Sequence, residues 1–255
     1  MSNTLPRSAT GGPIGGTIVR AGHLVPAVVE ELVDRMAVGA YPEGERLPFE
    51  RELIDELGVS RSVVREALRV LEEKGLVAIA QGKPTTVRPR SDWNVLDPIV
   101  INALIKHDPE LEIAGNLIDV RAAIEGALVR RTVRALDDAR DQELRAAFAK
   151  LVEAQPDPTA YLRADREFHH VLLEQSGNFI GEWIVRCAHQ WTHSYPGLVP
   201  MHRVEQSHRE HQAIFEAVER RDADAAAKAM EAHIRESWEK TRAVLLVAYK
   251  GSAKG

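Results

Sequence analysis

The chain has 255 residues and a formal charge of −5, long enough for two cores of ordinary size. No apolar run approaches the ~20 residues that cross a bilayer and no signal-peptide core opens the sequence, so a membrane or secreted protein is not expected. Cys187 is the only cysteine, which excludes an internal disulfide framework and fits a reducing, cytoplasmic compartment.

Residues 1–22 repeat Gly, Ser, Thr and Pro without periodic apolar positions, and a mobile arm is expected there, with Arg7 and Arg20 on it. Residues 24–38 read as a first helix, because Val28, Val29, Leu32, Val33 and Met36 form a helical stripe and Pro26 falls in the opening turn. A loop over 39–44 follows. Residues 48–57 read as a short helix with Leu53, Ile54 and Leu57 on one side and Gly58 as its stop. Residues 60–75 carry both end signals of a helix, Ser60 as N-cap and Gly75 as terminator. On its wheel Val63, Val64, Ala67, Leu68, Val70 and Leu71 fall on one side; Arg61, Ser62, Arg65, Arg69 and Glu72 fall on the other. Two short helices joined by a tight turn make a helix-turn-helix, whose second helix enters a DNA major groove. Weak alternation over 76–80, a turn at Gly82-Lys83-Pro84 and the β-branched residues before Arg88 predict a hairpin, the wing.

The stretch LPFERELIDELGVSRSVVREALRVLEEKGLV, with QGKPTTV behind it, resembles the GntR family of bacterial transcription regulators and is close to the FadR-like subgroup. The first 90 residues hold as many acidic as basic side chains, so the negative charge lies beyond them. What matters for phosphate contact is local placement, and the cations cluster in the helix-turn-helix and wing. By position, Arg61 and Arg65 are expected to reach base edges, whereas Arg51 and Ser62 suit phosphate or mixed contacts. The resemblance supports these four and adds Gln81, Gly82 and Lys83 at the wing tip, in or beside the minor groove. Relatives often carry His where this chain has Gln81. For Arg69 a solvated charge or an ion pair is expected instead.

Residues 89–94 read as a linker and 95–106 as a helix despite the early Pro98; Trp93 and Leu96 are expected at the seam between domains. WNVLDPIVINAL resembles the connecting helix of FadR-like members, a subgroup in which regulators of sugar-acid catabolism recur. Beyond Pro109 only helical periodicity is found, with helices expected over 111–136, 139–154, 159–175, 179–194, 201–220 and 223–249. The fold class is therefore mainly α: a winged helix-turn-helix domain over 23–90, a linker and connecting helix over 91–108, an antiparallel helical bundle over 109–249 and a tail over 250–255. The bundle resembles the ligand-binding FCD domain.

Nine of the ten histidines lie after position 100. Asp165 and His169 stand four apart and share a helical face; His211 and His233 are each eleven residues from Asp222, so antiparallel packing about a turn there brings them level. One carboxylate and three imidazoles suit Zn²⁺, with Ni²⁺ or Mn²⁺ as other candidates, and leave positions open for water or an anion. Metal-binding FCD domains place an Asp and three His at these motif positions, which the resemblance carries over. His208 and the pair His189/His193, itself at i,i+4 spacing, stay open as rivals, and His170 points about 100° away from His169. A metal with open positions makes a small carboxylate, such as a sugar acid, the expected effector. Arg121 matches the recurrent family arginine near that pocket, with an ion pair to Glu125 as its other reading. Asn178 matches a family motif, with helix capping as its other reading.

The sequence thus predicts a homodimeric repressor of a catabolic operon that binds operator DNA and is released by an organic acid. A metal-dependent, hydrolase-like enzyme fused to a DNA-binding module is the alternative, although no general base stands out beside the four ligands. A helical scaffold with incidental histidines is the third reading.

Overall fold

The computed structural model describes residues 21–192 and 201–252, with side chains over 24–189 and 204–247. Helix α1, Ala21–Ala37, starts before the expected position and carries Pro26 inside it. Residues 21 and 22 of the expected arm already belong to that helix, and the rest of the arm lies outside the described residues. The stripe expected from spacing is the one buried, with Val29, Leu32 and Val33 at or below 1% exposure.

Helix α2, Glu50–Leu57, begins after Pro48 rather than on it. Its start is fixed by the Glu52 carboxylate, which accepts from the Phe49 N–H at 2.7 Å. Gly58, left-handed at φ 64°, donates its N–H to the Ile54 carbonyl and turns the chain into α3, Arg61–Glu73. Ser60 Oγ accepts from the Val63 N–H at the start of α3. Val63, Val64, Ala67, Leu68 and Leu71 are buried, while Arg61, Ser62, Arg65 and Arg69 are exposed.

Gly75 ends this region under two constraints. Its φ is +76°, and a Cβ placed on it would stand 2.3 Å from the Asp92 carbonyl oxygen. Gly58 has a similar φ but open space around it. Gly58→Ala should therefore cost only the left-handed backbone term, about 1–2 kcal/mol. Gly75→Ala must also displace backbone and should lose more, about 2–4 kcal/mol in all, read as the shift in denaturant midpoint at constant slope.

Strands β1, Val77–Ala78, and β2, Thr86–Val87, pair antiparallel with Val77 opposite Val87. A third segment joins this hairpin: Arg46 bridges to Thr86, Leu47 donates its N–H to Thr85 at 2.8 Å, and Glu45 accepts from Val87. The region expected to be a linker forms a 3₁₀ turn over Arg90–Asp92. Trp93 is then buried in the N-terminal core and donates Nε1–H to the Arg88 carbonyl.

The connecting helix α4 spans Pro98–Lys106, three residues shorter than expected at its start. Asp97 caps it by accepting from the Ile99 N–H, and proline takes the first position, where no donor is needed. Leu96 lies outside the helix and is exposed rather than packed. Val100, Ala103 and Leu104 of α4 belong to the N-terminal core with α1 and α3, whereas Ile101 and Ile105 belong to the second core. One short helix is thus shared by both.

Beside α4, six helices among the described residues build the second core: α5 Glu112–Ala135, α6 Asp138–Glu153, α7 Pro158–Glu174, α8 Phe179–Thr192, α9 Met201–Glu219 and α10 Ala223–Ser252. Asp137, Asp157 and Asp222 accept backbone N–H groups at the starts of α6, α7 and α10. Helix α10 packs along α5 and α9, α6 along α7, and α8 along α5. Tyr161, Phe168, Leu128, Leu144 and Leu151 lie fully buried between them. The expected bundle is present, with helix ends within two residues of expectation over α5–α7 and α9; α10 runs through Ser252, into the expected tail.

Candidate metal centre and nucleic-acid interface

On the outer side of the N-terminal core, Arg51 of α2, Arg61, Ser62 and Arg65 of α3, and Gln81, Gly82 and Lys83 between the strands are all exposed. Arg51, Arg61, Arg65 and Lys83 have no ion-pair partner among the described residues. Their neighbours differ: Arg69 stands 3.6 Å from Glu66 and Arg88 stands 2.8 Å from Asp92. The helix-turn-helix therefore presents four exposed cations that pair with no carboxylate among the described residues, as a phosphate-facing surface requires. Arg69 takes the ion pair expected of it.

In the second core, Asp165, His169, His211 and His233 converge from α7, α9 and α10, with one ligand atom from each lying within 4.8 Å of all the others. Asp165 and His169 share a face of α7, and the turn near Asp222 brings His211 and His233 level. The His169 and His211 Nε2 atoms are 3.1 Å apart, and the Asp165 carboxylate is 3.0 Å from His211 Nε2. Two nitrogens each ~2.0–2.1 Å from one ion are roughly 3–3.4 Å apart at near-tetrahedral angles, so the spacing fits a shared metal.

The rear of each imidazole is held. His169 Nδ1 lies 3.1 Å from Glu125, and His233 Nδ1 lies 2.9 Å from Glu210. Ionised carboxylates only accept, so both rings must protonate Nδ1 and turn the Nε2 lone pair inward. His211 Nδ1 instead faces two hydroxyls, Tyr161 at 3.1 Å and Ser207 at 3.4 Å, which can donate or accept. His211 can therefore donate its Nε2–H to the Asp165 carboxylate, and its other tautomer would free Nε2 to hold a cation.

The electrostatics agree. Burial, then the neighbouring His211, pushes His233 down to about 4, so it is neutral near pH 7 and ready to ligate. Burial opposes ionisation of Asp165, but His211, His169 and His233 hold its carboxyl below the usual range. Glu210 is likewise pushed up by burial and brought down to about 2 by His233, Lys240 and Gln206. The three imidazoles are buried while the Asp165 side chain is 27% exposed, so the centre has its open edge at the carboxylate.

The other expected residues are not members of the quartet. Arg121 donates Nε–H to Glu125 at 2.5 Å, the ion-pair reading of that residue. Asn178 is exposed at the start of α8 and accepts from the Gly181 N–H, the capping reading. His189 bonds Glu125 through Nε2 and stands behind His169, outside the quartet. His208 stacks on Phe148, also outside it. His170 faces Glu174, and His193 lies outside the described residues. Glu125, Tyr161, Ser207 and Glu210 were not singled out by sequence as parts of the centre. The available signals were Tyr161 one turn before Asp165, and Glu210 beside His211.

Comparison with known proteins follows the same division. Residues 24–87 match the model for bacterial regulatory proteins of the gntR family, and residues 116–236 match the FCD domain. The HTH-type transcriptional repressor NanR of Citrobacter rodentium is 31% identical over 218 residues, covering 83% of this chain and 82% of that protein. The galactonate operon transcriptional repressor of Escherichia coli K12 is 25% identical over 205 residues, covering 79% and 90%. Among solved structures, Lar, which controls the expression of the Listeria monocytogenes agr system, superposes with a TM-score of 0.53 at 17% identity, over 86% of this chain and 96% of that one. At that identity the likeness speaks for the fold.

Proposed function

The chain belongs to the GntR family of bacterial regulatory proteins and carries an FCD domain, and from that premise we propose that it represses a catabolic operon and leaves its operator when a small organic acid binds at a zinc-type metal centre. As a regulator of this family it binds operator DNA through the helix-turn-helix and takes a small-molecule effector in the FCD domain. Among the described residues no helix is long and apolar enough to cross a membrane, and a cytoplasmic site of action accords with operator binding.

The observation that carries the effector reading is the quartet itself, with three buried imidazoles held from behind and one open edge at Asp165. Asp165, His169, His211 and His233 would hold the ion. A bound divalent ion supplies a fixed positive charge and exchangeable positions for a carboxylate. Arg121, on the next turn of α5 from Glu125, supplies a second cation for the same anion. The galactonate relative supports a sugar acid as the class.

On the DNA side, Arg61 and Arg65 read bases, Arg51 and Ser62 hold phosphate, and Gln81, Gly82 and Lys83 contact the groove beside the wing. A near-palindromic operator needs two copies of the reading helix, so the active form is a homodimer. Phe179, Ile180 and Trp183, exposed on α8, offer an apolar face for the second copy. Release then follows if the acid binds one arrangement of the two reading helices better than the other. Helix α4, packed into both cores, is the path available for that coupling.

A thermal-shift screen of small organic and sugar acids on zinc-loaded protein tests the reading. A true effector at a hundredfold excess over its Kd should stabilise the fold by about 2.7 kcal/mol and release a labelled operator duplex in the same concentration range. Turnover of an acid with no affinity for any duplex would overturn it in favour of an enzyme.

A further inference from the structure

Glu125 is fully buried and gives its two carboxylate oxygens to three donors from three helices. Oε1 receives Arg121 Nε–H from its own helix at 2.5 Å and His189 Nε2–H from α8 at 3.1 Å, and Oε2 receives His169 Nδ1–H from α7 at 3.1 Å. A carboxylate only accepts, so the bond to Oε2 dictates which tautomer His169 adopts and aims its Nε2 lone pair at the quartet. The guanidinium and the imidazole draw on one negative charge. What Arg121 takes from it, His169 loses.

We propose that Glu125 is the positioning residue of the metal centre and that Arg121 acts on the metal chiefly through it, so that an organic anion engaging Arg121 tightens metal binding. The proposal rests on the reading of the quartet as a metal site. Arg121 donates Nε–H to Glu125, and among the described residues its terminal N–H groups have no other hydrogen-bond partner, which leaves them for an anion. An anion seated there competes with Glu125 for the guanidinium and returns charge to the His169 hydrogen bond. The ring then becomes a stronger ligand. By linkage the metal must raise the affinity for the anion by the same factor. Glu125 thus couples the metal to the anion, without itself touching either ligand.

The test is a double-mutant cycle read as Zn²⁺ affinity, by competition with a chelating dye, in the full chain without any organic acid. Glu125→Gln should weaken Zn²⁺ about 10- to 100-fold, the usual effect of losing a carboxylate behind a ligating histidine. Arg121→Gln should tighten Zn²⁺ roughly fivefold or more in the native background and change it less than about twofold beside Glu125→Gln. An equal Arg121 effect in both backgrounds, or native-like affinity of Glu125→Gln, overturns the proposal. A second measurement needs no variant: long-range ¹H–¹⁵N spectra of the metal-free native protein should show His169 protonated on Nδ1. A proton on Nε2 instead overturns the proposal as well. Native protein that takes up no zinc sinks the metal reading itself, whereas zinc uptake insensitive to Glu125 sinks this inference alone.

Discussion

Substituting both Arg61 and Arg65 by alanine should abolish sequence-selective operator binding while leaving the fold intact. Each side chain projects from the first two turns of α3, the part of a recognition helix that meets base edges, and each is exposed without an ion-pair partner among the described residues. A bidentate arginine contact to guanine discriminates by about 1–3 kcal/mol, so the pair accounts for roughly 30-fold to 2 × 10⁴-fold of selectivity. The opposite side of the helix, Val63, Val64, Ala67, Leu68 and Leu71, is untouched, and the thermal midpoint should hold because exposed substitutions of this kind cost within about 0.5 kcal/mol. Arg51→Ala makes the contrast. A phosphate contact carries no sequence information, so its loss should weaken operator and scrambled duplex alike and lower the salt slope by about 0.9. Fluorescence anisotropy on both duplexes across a salt series separates the two classes. If the double variant still prefers the operator, α3 is not the reading helix.

The helix-turn-helix was legible because its punctuation is local. Gly58 at φ 64°, the Ser60 cap and the left-handed turn at Gly75 are each set by neighbours a few residues away, so sequence alone places them, whereas the close approach of the Asp92 carbonyl to Gly75 is not local. The cluster of Asp165 with three histidines was legible for a different reason. Asp165 and His169 are fixed by helical spacing, and His211 and His233 by equal distance from one turn, so a single assumption of antiparallel packing brings all four together. Where that assumption gives no register, the sequence is silent. Nothing in the spacing says that α8 lays His189 against Glu125, or that the glutamate four residues from Arg121 turns inward to serve an imidazole on α7. The third segment of the wing was missed because Glu45 to Leu47 has no alternation of its own; it pairs through backbone alone. The start of α4 was missed because apolar Val95 and Leu96 extend the hydrophobic run, while Asp97 and Pro98 decide the boundary by capping.

His211→Ala should abolish metal retention, and with it the response to organic acid, while sparing operator binding. His211 sits at the middle of the quartet, fully buried, with Asp165 and His169 both within about 3.1 Å of its Nε2. Four-ligand zinc sites bind with about 10–16 kcal/mol, so removing one ligand of four should cost about 3 kcal/mol, or roughly 10²-fold in affinity. The substitution also strips partners from Tyr161 and Asp165 and opens a cavity, so the metal-free variant should itself lose about 2–4 kcal/mol. Those two effects must be separated. Chelation of the native protein does so, because it removes the ion and leaves every side chain in place. Chelated native protein and His211→Ala should share one behaviour, near-native affinity for the operator and no release by the acid that releases zinc-loaded native protein. They should differ only in thermal midpoint, where the variant falls further. Elemental analysis after gel filtration provides the check on the ligand itself. One equivalent of metal retained by His211→Ala would mean that the ion sits elsewhere, with His189 or His208 the next residues to replace.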